Sequence, residues 1–105
     1  MTTQIPTQSS HVSIYGLVDP RNQEVRYIGC TKNPITKRYK AHLRDPSRCL
    51  YKWMTELQAH NLYPTLSVFE VTTRKYQWKR EAAYLQEYKS TALNIHKKVG
   101  RRYPE

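Results

Sequence analysis

A chain of 105 residues has room for one domain with one modest core, so a separate recognition domain is not expected within it. Its 18 Lys and Arg against 8 Asp and Glu give a formal charge of +10, which points to a polyanionic partner, nucleic acid first. No apolar run long enough to span a bilayer, lipidation motif, amphipathic membrane segment or signal peptide is visible, and Cys30 and Cys49 make neither a disulfide framework nor a zinc site, so a cytoplasmic chain with reduced thiols and no membrane partner is expected.

Residues 1–10 are polar and aperiodic and read as a leader. VSIYGLVD and EVRYIG, separated by a polar segment with Pro20 and Asn22, predict a β-hairpin; Tyr15 and Tyr27 lie equally far from Arg21 and should stand opposite or nearly opposite each other on one face. Asn33 as N-cap and Pro34 at the first helical position predict a helix start. Ile35, Tyr39 and Leu43 form its apolar stripe, with Arg38 and His42 in a second stripe beside it. Asp45 and Pro46 end that helix, and Ser47 opens another with Leu50, Trp53, Met54 and Leu57 on one face. TLSVFEV predicts a third strand, apolar on both faces and hence central, with Leu66 and Val68 facing one way and Phe69 and Val71 the other. A last helix is expected from about Thr73 to Tyr88, with Trp78, Ala82 and Leu85 in its buried stripe and Glu81 within the same stripe. The basic tail over 96–105 is expected to be extended. These elements predict an α/β fold, a three-stranded antiparallel sheet flanked by three helices, over 11–95.

SIY at 13–15, YIG at 27–29, Arg38 and His42 spaced as RxxxH, Glu81 on the last helix and Asn94 beyond it together resemble the GIY-YIG nuclease domain. The resemblance spans about residues 12–95 and rests on six elements in order. It implies a metal-dependent endonuclease acting on DNA, double-stranded or branched, with one Mg2+ or Mn2+ held by Glu81. Tyr15 would activate the attacking water and Tyr27 would position water or phosphate. Arg38 would offset phosphate charge, His42 would assist proton movement, Asn94 would support the geometry, and Gly29 would allow close backbone approach. The first motif departs from the family, with Ser13 where the family has glycine, and the appended recognition domain of many relatives is missing. Specificity would then come from loops, the tail, self-association as a homodimer, or a targeting partner protein.

The chemistry supports these roles independently. Phosphodiester hydrolysis needs a deprotonated nucleophile, neutralisation of a pentacoordinate phosphorane and help for the leaving alkoxide. A phenol of pKa about 10 is a poor base unless a cation lowers it. Magnesium keeps waters and accepts a single carboxylate, and the arginine fork suits phosphate. Each residue alone has an ordinary reading: Tyr15 and Tyr27 as sheet residues, Arg38 and His42 as a solvated helix face, Glu81 at a stripe edge or paired with Arg80 or a Lys, and Asn94 in a turn. Their joint order carries the functional reading. Lys37, Lys40, Lys97, Lys98, Arg101 and Arg102 are expected to touch phosphates. His60 and His96 are expected to be exposed, and Tyr51, Trp53, Met54 and Leu57 to be core rather than a base-stacking platform. The alternative is a non-catalytic nucleic-acid-binding module of the same fold.

Overall fold

The computed structural model describes residues 11–94. The expected leader, the tail over 96–105 with Lys97, Lys98, Arg101 and Arg102, and His96 lie outside the described residues. Three strands, β1 (His11–Val18), β2 (Val25–Thr31) and β3 (Thr65–Thr73), form an antiparallel sheet in the order β2-β1-β3. Three helices, α1 (Ile35–Arg44), α2 (Arg48–Ala59) and α3 (Gln77–Glu87), complete the α/β fold.

Alternation along β1 sends its side chains to two separate cores. Ile14 and Val18 join Val25, Ile28, Leu85 and Ala92 on one face, where Tyr84 and Tyr88 of α3 also pack. Tyr15 and Leu17 join Tyr27 and the apolar face of α2, Leu50, Trp53, Met54 and Leu57, with Ile35, Tyr39 and Leu43 of α1 half-buried against them. The sheet is thus covered by α1 and α2 on one side and by α3 on the other. Burying Leu17, Leu50 and Leu57 completely contributes about 2 kcal/mol each.

The β1–β2 turn is organised by Asp19, a buried carboxylate. It accepts from Arg21 N at 2.9 Å, from Arg21 Nε at 3.0 Å and from Trp53 Nε1 at 2.9 Å, and so ties the hairpin tip to α2. Gln23 completes this turn in a left-handed conformation, φ 66°. Helix α2 ends in a Schellman motif: Leu62 N donates to Leu57 O and Asn61 N to Gln58 O, with Asn61 at φ 60°.

Several expectations need correction. β3 is an edge strand, because β1 hydrogen-bonds to both neighbours. Its pairing with β1 slips between Ile14 and Tyr15, leaving Phe69 as an extra residue that packs on the α3 side. Val68 and Val71 are 47 % and 60 % exposed, so the apolar residues on both faces of this strand do not mark a central position. Pro34, not Asn33, is the N-cap of α1; its ψ of 134° is extended, and Asn33 instead closes a local turn with its N–H on Thr31 Oγ1 at 3.0 Å. Thr72 and Thr73 continue β3 opposite Val12 and His11, so α3 begins only at Gln77. On α3 the buried side holds Glu81 and Leu85, while Trp78 and Ala82 are exposed. Tyr51, expected in the core, is 63 % exposed, because it lies off the face of α2 that carries Leu50, Trp53, Met54 and Leu57.

Candidate active site

Gly29, not Tyr27, stands opposite Tyr15, and Tyr27 pairs with Leu17. A register two residues from the expected one keeps both phenols on one face but sets them diagonally, with ring centroids 6.2 Å apart. Two residues of α1, one turn apart, face them. His42 is buried and its ring meets Tyr27 edge-on at 5.0 Å, while Arg38 is half-buried at the margin.

The Tyr15 hydroxyl lies 2.6 Å from His42 Nε2 and accepts from Arg38 Nε at 3.3 Å. Arg38 can only donate, so the Tyr15 oxygen accepts from it, and where His42 carries its proton on Nδ1 the Tyr15 hydroxyl donates to His42 Nε2. Burial pushes the Tyr15 phenol well above its ordinary value, and Tyr27 pushes it further. Arg38 pulls the other way without offsetting them, so Tyr15 stays protonated at neutral pH. Of the two cations that could lower a phenol here, a bound metal and Arg38, Arg38 alone does not bring it below its ordinary value, because the phenol has no exposed surface.

Gly29 is required here. A Cβ at this position would sit 2.6 Å from Tyr15 Oη and 2.8 Å from Tyr27 Cε2, so the two phenols occupy the space that a side chain would need. Asn94 holds the same strand from outside. Its Oδ1 accepts from Ile28 N at 3.2 Å and its Nδ2 donates to Ile28 O at 2.7 Å, while Leu93 N donates to Arg26 O at 2.6 Å. The side-chain amide thus acts as a fragment of a fourth strand along the outer edge of β2.

Glu81 enters from α3, which packs on the face opposite Tyr15, and is fully buried. The two sides of the sheet meet at the end of β2 in a cleft of about 430 Å³ lined by Cys30, Thr31, Lys32, Asn33, Arg38, Arg74, Gln77 and Trp78. Arg38 links this cleft to Tyr15. Gln77, one turn before Glu81, lines it from α3 and donates to Cys30 Sγ at 3.1 Å. Lys32, Arg74 and Gln77 do not stand out in the sequence, and Trp78 reads there as a core residue; for the last three the signal is the run RKYQWK at 74–79, where cations flank two aromatics. Lys37 and Lys40 are exposed on α1, as is His60 after α2. Among the described residues no group of three or more His, Cys, Asp or Glu gathers, and no helix is long and apolar enough to cross a membrane. Comparison of the chain with family models, curated proteins and solved structures finds no match.

Proposed function

We propose that the protein is a metal-dependent endonuclease of the GIY-YIG type, cutting phosphodiester bonds of DNA at the cleft beside Arg38. The observation that carries this reading is the chain of hydrogen bonds from half-buried Arg38 at the cleft through buried Tyr15 to buried His42. Burying the Tyr15 hydroxyl and the His42 ring at the edge of an apolar core is costly for stability alone. In this arrangement the substrate phosphate draws the Arg38 fork into the cleft and frees a lone pair on the Tyr15 oxygen. A water bound there gives its proton to Tyr15 as Tyr15 passes its own to His42, so the phenol need not ionise on its own, consistent with its raised pKa. Tyr27, edge-on to His42, keeps the imidazole in place, and Arg38 offsets the charge gathering on the phosphorane.

Glu81 is fully buried one turn along α3 from Gln77 of the cleft wall and would be the residue that holds the ion, a single hard carboxylate suiting Mg2+ or Mn2+ better than zinc. Such an ion, when bound, stabilises negative charge on the phosphate oxygens.

Supercoiled plasmid incubated with the protein and Mg2+ or Mn2+ tests the proposal. Nicking is expected, and it should be lost with chelator, with Glu81→Ala and with Tyr15→Phe. The complete burial of Tyr15 favours a second reading, a nucleic-acid-binding module of this fold that does not cut. Intact plasmid held in a salt-sensitive complex would favour that reading or a demand for a special substrate or partner, and a branched DNA left equally uncut would select the binding module.

A further inference from the structure

The connector from β3 into α3 departs most from what its sequence suggested. Trp78 is 42 % exposed and Tyr76 49 %, although large aromatics are normally drawn into a core. Arg74, Lys75 and Lys79 are exposed around them, and Lys75 Nζ lies 5.5 Å from the centre of the Tyr76 ring. Trp78 forms one wall of the cleft, whose other walls bring Lys32, Arg38 and Arg74. Among the described residues none of these three cations forms an ion pair with a carboxylate. An indole beside three cations uncommitted to carboxylates combines a surface on which a base stacks with charges that hold the adjoining phosphates. A continuous duplex offers phosphates but keeps its base faces stacked inside, so it cannot use the indole.

We infer that the cleft takes an unpaired stretch of a DNA strand, with a base stacked on Trp78 and its phosphates held by Lys32, Arg38 and Arg74, so that the preferred substrate carries a flap, bubble or branch. This rests on reading the cleft as a nucleic-acid site and not on whether the protein cuts.

The chain has two tryptophans, and Trp53 is 4 % exposed with its N–H on Asp19, so a change in indole emission on binding reports Trp78. The experiment titrates full-length protein, in chelator, with a labelled oligodeoxythymidylate and with a duplex of equal length, following emission and anisotropy. Emission should be quenched by the single strand, which should bind more tightly than the duplex. Trp78→Ala should weaken single-strand binding about 10- to 100-fold and duplex binding less than about twofold, with Trp78→Phe restoring most of the loss. Equal affinity for the two forms, an unquenched complex, or an equal loss on both in Trp78→Ala would overturn the inference. Cutting is read separately, with metal, on a duplex carrying a single-stranded flap: quenching without cutting of that substrate refutes the nuclease and leaves this inference standing, whereas cutting without quenching does the reverse.

Discussion

Replacing Gly29 by alanine tests whether the tyrosine cluster depends on the backbone beneath it. The added Cβ would lie 2.6 Å from Tyr15 Oη and 2.7 Å from its Cζ, against an ordinary contact of 3.4 Å or more. The phenol must therefore retreat by about 0.8 Å or the strand must bend. Neither movement is easy. The ring has no exposed surface, and its oxygen already sits 2.6 Å from His42. Overpacking of this kind costs about 1–3 kcal/mol, and loss of a buried hydrogen bond adds about 1 kcal/mol. With a urea dependence of about 1 kcal/mol per molar for a domain of this size, the unfolding midpoint should fall by about 2 M or more. A displacement approaching 1 Å in a positioned catalytic group lowers rates by about 100-fold, so plasmid nicking by the folded variant should fall on that scale. Urea titration followed by circular dichroism, with nicking measured well below the midpoint, reads both effects. If Gly29→Ala left the midpoint and the nicking rate unchanged, the claim that this glycine makes room for Tyr15 would be wrong.

Three further outcomes are expected. The Arg21 guanidinium holds the Asp19 carboxyl well below its ordinary range, so the folded chain binds fewer protons there than the unfolded chain in acid. The stability this provides is complete above about pH 5, falls below about pH 4 where the unfolded carboxyl protonates, and is lost as pH drops through the folded value. Asp19→Asn should cost about 2–3 kcal/mol at pH 7, with the gap to the parent protein narrowing steadily as pH falls below about 4 in urea titrations. Asn94→Ala strips partners from Ile28 N and Ile28 O and should cost about 2–3 kcal/mol, with hydrogen exchange at the Ile28 amide accelerating selectively; unchanged protection there would refute the clip. Gln23→Gly relieves a left-handed residue and should stabilise by about 0.5–1 kcal/mol in thermal unfolding, whereas Gln23→Ala should not.

Periodicity revealed most of the architecture because the strong signals were local. The four-residue spacing of Arg38 and His42 fixed them on one helix face, and the apolar residues of α2 named their own stripe. Where the reading failed, the cause was nonlocal. The bulge at Phe69 rephases β3 against β1, so alternation along its sequence misreports which residues are covered and disguises an edge strand as a central one. On α3, Leu85 fits two stripes, one through Trp78 and Ala82 and one through Gln77 and Glu81. Hydropathy selects the first, whereas packing against Ile14, Ile28 and Phe69 selects the second. The position of Tyr15 was legible, but the state of its phenol was not, because that depends on complete burial beside Tyr27. Asn94 was singled out by resemblance, and the reason it matters lies 66 residues away at Ile28.

That distance has a consequence for how the domain comes into being. Tyr15, Tyr27, Arg38 and His42 all leave the ribosome some fifty residues or more before Asn94, whose amide fastens the outer edge of β2. A nascent chain therefore carries these four residues before that edge is fastened. The backbone groups of Ile28 that Asn94 covers stay open to water or to a passing strand until residue 94 has emerged.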